Sequence, residues 1–283
     1  MGILFALGAF FGWGIGDFLI QRCTRKGGVT LTFWIISAIG SAALLPFVIN
    51  SETAFSEILS FPILLATGTT IMNGFFLFWL FKHINLSIVQ PVISLELPLG
   101  VILAAILFHE SILPQQWLLI FAIFLGVVML SFALNPFKVG KIKLEKGILL
   151  TTLAAFVSTS MNLSTAAAVE QFDPWFVIWA VGALITLVLL PLVLQKRRVY
   201  FASLKENPIL YFATSIIDVT AWISFSFGVV YLPISLVLGL SQGYVLVSVI
   251  LGITFNKERL RSWQYLGLFV TMTALIMLAF TTQ

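Results

Sequence analysis

The chain has 283 residues, 60% of them hydrophobic and only 9% charged, with a mean hydropathy of +1.10. A water-soluble domain runs nearer half apolar and a quarter charged, so apolar surface in this excess must face lipid. The formal charge of +4 does not point to nucleic acid, because the basic residues sit in short clusters between apolar runs and leave no domain to carry a binding face.

A crossing helix needs roughly 20 apolar residues. In chain order the runs fall at about 2–21, 30–49, 61–81, 86–108, 116–134, 147–167, 175–194, 208–229, 232–254 and 263–281. The first opens at Gly2 with no basic region before it, so it reads as a span and not as a cleavable leader. Only Tyr231, Leu232 and Pro233 part the eighth run from the ninth, with Pro233 opening the next helix.

All 15 Lys and Arg fall in odd-numbered connections. They are Arg22, Arg25 and Lys26 in the first, Lys82 in the third, and Lys138, Lys141, Lys143 and Lys146 in the fifth. The seventh holds Lys196, Arg197, Arg198 and Lys205, and the ninth Lys257, Arg259 and Arg261. Even connections carry Glu52, Glu57, Glu110, Glu170 and Asp173 instead. Short connections rich in Lys and Arg stay in the cytoplasm. Both termini are therefore expected outside, and an odd number of spans would break the alternation. The expected location is a prokaryotic cell (inner) membrane.

The chain also repeats. A shift of 145 lays Gly2-Ile3-Leu4 on Gly147-Ile148-Leu149, Asp17 on Asn162, Trp34 on Trp179 and Pro46 on Pro191. It also lays Thr69, Thr70 and Asn73 on Thr214, Ser215 and Asp218, and a shift of 148 lays Glu110 on Glu258 and Gln116 on Gln264. Five is odd, so a second five-span copy enters the membrane from the opposite side, the arrangement many secondary transporters use for alternating access. The expected fold is an all-α polytopic membrane protein, ten transmembrane helices in two inverted five-helix repeats, residues 1–140 and 141–283.

Polar groups inside spans are costly and mark function. Three acids lie there: Asp17, Glu96 and Asp218. At 1.5 Å per residue, Asn73, Glu96, Asp218 and Gln242 each lie about ten residues into their spans, near the midplane where transporter sites are expected. Thr214, Ser215, Asp218, Trp222 and Phe225 share one helix face, Thr69, Thr70, Asn73 and Phe76 repeat it, and Trp13, Asp17 and Gln21 share a face of the first span. Bonding to local backbone or a neighbouring helix accounts for the individual Thr and Ser hydroxyls. An ion pair with the basic connection beside it competes as an explanation of Asp17. Pro91 and Pro98 flank Glu96 and free backbone carbonyls, by a packing kink or at a cavity. The substrate-binding candidates are Asp218, Asn73, Glu96, Gln242, Tyr244, Trp222, Trp13 and Asn162, and the proton-coupling candidates Asp218, Glu96 and Asp17. Glu110 and Glu258 read as helix-end and loop residues, His83 and His109 as solvated loop histidines. One cysteine, Cys23, and two separated histidines make no disulfide framework and no typical zinc, haem or iron–sulfur site, so no metal or cofactor is expected.

LFHESILPQQWLLIFAIFLGVVML at the fourth and fifth spans, and ITFNKERLRSWQYLGLFVTMTALIML at the ninth and tenth, share an apolar run, a Glu, a short loop and a Gln- and Gly-containing helix. With FFGWGIGDFLIQR in the first span, these segments resemble the drug/metabolite transporter superfamily, EamA type, over the whole chain. The resemblance implies a central cavity lined mainly by helices 1, 3, 4, 6, 8 and 9, with helices 5 and 10 peripheral. The second copy departs from it at VSTSMN, which replaces the Trp-Gly segment, and at Glu258, which sits between Lys257 and Arg259. The expected function is secondary transport of a small organic metabolite or drug, by proton coupling or exchange, as a monomer or a homodimer in the lipid bilayer, with no nucleic-acid partner. A non-transporting membrane protein, such as a lipid-handling enzyme or a sensor, is the alternative. No paired catalytic motif supports an enzyme, and no nucleotide-binding loop supports direct ATP drive.

Overall fold

The computed structural model describes residues 1–49, 51–84, 89, 93–131, 144–247, 251 and 262–281. Gln90, Pro91, Glu258 and the basic residues Lys138, Lys141, Lys143, Lys257, Arg259 and Arg261 lie outside the described residues. In lipid every backbone polar group must be satisfied inside the chain, and the described residues answer with helices alone. These are α1 (Gly2–Gly27), α2 (Val29–Val48), α3 (Phe61–His83), α4 (Glu96–Leu107), α5 (Pro114–Ser131), α6 (Leu144–Val169), α7 (Pro174–Gln195), α8 (Arg197–Glu206), α9 (Pro208–Tyr231), α10 (Ile234–Ser241) and α11 (Ser262–Thr281).

Seven of them are long and apolar enough to cross a membrane, and three shorter apolar segments, Glu96–Leu107, Pro114–Met129 and Ile234–Val247, accompany them. The fourth and ninth spans are not the uninterrupted helices that hydropathy predicts. α4 begins only at Glu96, and α10 tightens into a 3-10 turn at Gln242–Tyr244. Hydropathy weighs side chains, whereas a polar side chain turned inward at a helix break changes the backbone path. The first and seventh connections also differ from expectation. Arg25 and Lys26 lie in the last turn of α1, and the basic residues after α7 lead into the surface helix α8, none of whose residues is buried. α1 reaches α2 through Gly28, whose φ of 85° suits glycine.

Helices pack mainly across the two halves: α1 on α9, α3 on α6, α2 on α7, α4 on α10 and α5 on α11. Numbered as spans, adding five to both members turns the 1–8 pair into the 6–3 pair and returns 2–7, 4–9 and 5–10 to themselves. α1 and α9 run antiparallel, Gly2 meeting Leu232, Gly12 meeting Ala221 and Gly27 meeting Tyr211. Small residues let the backbones close up: a Cβ on Gly12 would stand 2.5 Å from that of Ala221. On the rim, Phe11, Phe61, Phe121, Phe269 and Phe280 are exposed, as a lipid-facing surface requires.

Connections of equal parity meet. Lys26 donates to Asn207, joining the first and seventh. The backbone N–H of Asp173 donates to the Thr53 hydroxyl at 3.2 Å, joining the second and sixth. Glu110 takes the N–H groups of Ile234 and Ser235 at 2.5 and 3.0 Å, so this loop residue caps α10 from across the fold. Glu170 lies in reach of Glu110, and burial first and that carboxylate second push its carboxyl above the usual range.

Gly126 shows how tightly α5 and α11 fit: a Cβ there would strike the Thr271 hydroxyl and come within 2.9 Å of the Thr271 backbone nitrogen. Gly126→Leu is expected to cost about 1–3 kcal/mol by overpacking, read as a lower thermal midpoint in detergent. Gly68→Ala, with nothing within 4 Å of the added atom, is the control and should not lower it.

Candidate functional site

The interior polar residues meet around one cavity of about 150 Å³, room for roughly five waters or a small organic molecule. α1 brings Trp13 and Asp17, α3 Thr70 and Asn73, α4 Glu96, α6 Ser158, Met161 and Asn162, α9 Asp218 and Trp222, and the turn after α10 brings Gln242 and Tyr244. All eight substrate-site candidates and all three coupling candidates therefore lie on its wall. No Lys, Arg or His is among the described lining residues.

Glu96 is the hub. Its Oε1 accepts from Asn162 Nδ2 at 2.5 Å and from Gln242 Nε2 at 2.8 Å, and its backbone carbonyl accepts from the Thr159 hydroxyl at 3.5 Å. Next to it, the Ser158 hydroxyl donates to Asn73 Oδ1 at 2.6 Å, and Asn73 Nδ2 reaches Met161 Sδ at 3.3 Å. Asp17 acts electrostatically on both Glu96 and Tyr244. Asp218 is partly exposed to the cavity and makes no hydrogen bond or ion pair with a described residue. The aromatic wall is built edge to face: Trp13 lies 5.3 Å from Trp222 and 6.3 Å from Tyr244 between ring centroids, backed by the tilted ring of Phe225 at 5.4 Å.

The hydroxyls divide as their local chemistry directs. Thr214 and Ser215 are fully buried away from the cavity and bond back to Leu210 O and Tyr211 O at 2.6 and 2.8 Å. Thr69 bonds Leu65 O and Ser164. Phe225 and Phe76 do not reach the wall. His83 is the last residue of α3 and stacks on Trp79, with Nδ1 2.8 Å from the Trp79 carbonyl, so it is a helix-end residue and not a loop one. The lining expected from helices 1, 3, 4, 6, 8 and 9 is incomplete, because α2 and α7 form a further wall through Phe33, Ser37, Gly40, Ser41, Ile178, Val181, Gly182 and Ile185. The signal was the small residues at 37, 40 and 41, spaced along one helix face and readable only as close packing without a partner in view. α5 and α11 contribute no described lining residue.

A profile of the EamA-like transporter family matches residues 1–132 and 145–280. The chain belongs to the EamA-like transporter family. The two matched stretches give it the two-repeat architecture of EamA-like transporters, with a transport role in a multi-pass membrane protein. A search of curated proteins finds no match. Among solved structures, a protein titled only "Crystal structure of protein" is similar over 100% of this chain and 98% of its own, with a TM-score of 0.68 at 16% identity, a likeness of fold alone.

The hub sets a stability test. Glu96→Leu leaves two buried amide donors without an acceptor and is expected to cost about 1–3 kcal/mol, read as a lower thermal midpoint. Glu96→Gln keeps an acceptor oxygen and should cost less.

Proposed function

We propose that this EamA-like protein is a secondary transporter that carries a small organic metabolite or drug by alternating access, coupled to protons or to exchange. On this reading the chain crosses a prokaryotic cell (inner) membrane ten times, in inverted repeats of residues 1–140 and 141–283, with both termini outside. The observation that carries it is convergence. Asp17, Asn73 and Glu96 from the first half and Asn162, Asp218, Trp222, Gln242 and Tyr244 from the second line one cavity, which is where an inverted-repeat carrier holds its substrate. The meeting of odd connections with odd and even with even supports the alternation of crossings. Asp218 and Glu96 are the groups assigned to the coupled proton, with Asp17 third.

Substrate-dependent counterflow in proteoliposomes tests the transport. Ligands come from a thermal-shift screen, since a molecule at 100 times its Kd stabilises the native state by about 2.7 kcal/mol. Asp218→Asn keeps hydrogen bonding and loses the charge, so counterflow should fall at least tenfold. Wild-type rate with unchanged pH dependence removes Asp218 from the mechanism, and no counterflow of any stabilising ligand removes transport. For topology, a reporter fused at Gln283 that works only in the cytoplasm should stay silent; activity there overturns the orientation.

A further inference from the structure

The exchange that relates the two halves does not relate like with like. The shift of 145 pairs Asn73 with Asp218, Ser158 with Trp13, Asn162 with Asp17 and Leu77 with Trp222, and the shift of 148 pairs Glu96 with Tyr244. In one half-site, hydrogen bonds close most polar groups on one another: Ser158 on Asn73, and Asn162 and Gln242 on Glu96. In the other, the Asp218 carboxylate has no hydrogen-bond partner among the described residues, and Trp13, Trp222 and Tyr244 occupy the matching positions on the cavity wall. A carboxylate facing a cavity beside aromatic rings suits a cation, because the ring faces attract positive charge as the acid does.

An independent observation narrows the cation. Asn162 is only 2% exposed and lines the cavity, yet its Oδ1 has no hydrogen-bond partner among the described residues. Its amide nitrogen is committed to Glu96, so the orphan atom is an acceptor and requires a donor. A quaternary ammonium has no N–H to give it, whereas a protonated amine has. A zwitterionic amino acid brings a carboxylate as well, and no described lining residue is basic.

We propose that the cavity takes a protonated organic amine carrying an aromatic or similarly sized apolar group and no carboxylate. Its charge is answered by the cavity's carboxylates, an N–H by Asn162 Oδ1, and its ring by Trp13 and Trp222. That such an amine is also the cargo rests on the transport reading above; the binding itself does not.

The test is equilibrium binding to the purified full chain in detergent, followed by calorimetry and tryptophan fluorescence. The probes are 2-phenylethylamine, 2-phenylethanol, phenylalanine and the N,N,N-trimethyl derivative of the amine. The amine is expected to bind at least tenfold more tightly than the alcohol or phenylalanine, and several-fold more tightly than the trimethyl derivative. Asp218→Asn should bring the amine down to the affinity of the alcohol. No binding of the amine at millimolar concentration, or equal or tighter binding of the alcohol or phenylalanine, overturns the proposal. Equal binding of the trimethyl derivative overturns the role of Asn162. The ligand series needs no folded variant, so it decides even if Asp218→Asn does not fold. Counterflow of other molecules without amine binding removes the amine and keeps transport; amine binding without counterflow keeps the site and removes transport.

Discussion

A carboxyl group at the centre of an apolar helix bundle must be supplied with hydrogen-bond donors by its neighbours, because burying it without them is costly. Glu96 meets this constraint with side-chain donors that, among the described residues, come from the opposite half, Asn162 of α6 and Gln242 beyond α10. Ser158, one turn from Asn162 on α6, ties in Asn73 of α3. Four helical segments are thereby joined at one place. Lipid tails are as apolar as leucine and give helices no reason to associate. Polar ties at the centre, and close backbone approach such as Gly12 on Ala221 and Gly126 on Thr271, supply what the hydrophobic effect does not.

This wiring bears on how such a fold can move. The principal pairings, α1 on α9, α3 on α6 and α2 on α7, each join helices of different halves. The two copies are interlaced, and neither packs as a separate bundle. A rocking motion that respects these contacts moves bodies that each borrow helices from both copies. The α1–α9 pair and the α3–α6 pair are exchanged by the repeat, which would make them counterparts in the proposed alternating-access motion.

Much of this was legible in the sequence, and the reasons are physical. Lipid imposes a length and an apolar composition on each crossing, so α1, α2, α3, α7, α9 and α11 fall close to the predicted runs. The same cost of burying polar groups made the cavity residues stand out, and Asp17, Asn73, Glu96, Asn162, Asp218 and Gln242 do come together. Pattern could not show partners across the fold. Glu110 reads as a loop acid, and only the position of α10 turns it into a cap. Thr214 and Asp218 share a face of an ideal helix, yet Thr214 faces Cys23 at 3.3 Å while Asp218 faces the cavity. Four residues at 100° each leave them 40° apart, and packing decides between them. The flanking prolines signalled a kink at Glu96, whereas the break at Gln242 escaped because hydropathy averages over it.

The inequality of the two half-sites has a consequence for the transport cycle proposed above. In an inverted repeat, the two end states arise as the halves exchange conformations around a fixed site. Chemically equal halves would make those states equal in energy. Here Asn73 and Ser158 satisfy each other in one half-site, whereas the described residues offer Asp218 in the other no hydrogen-bond partner, so on the proposed cycle a state closed over Asp218 would differ in energy from one closed over Asn73. Excluding water from an uncompensated carboxylate is strongly unfavourable. On that proposed cycle the empty, ionised carrier would be held back from one of its two states, and a bound cation or a proton on Asp218 would remove the penalty. On the proposed cycle coupling would need no separate gate, because the acid that recognises the cargo would be the group whose charge forbids the unloaded transition.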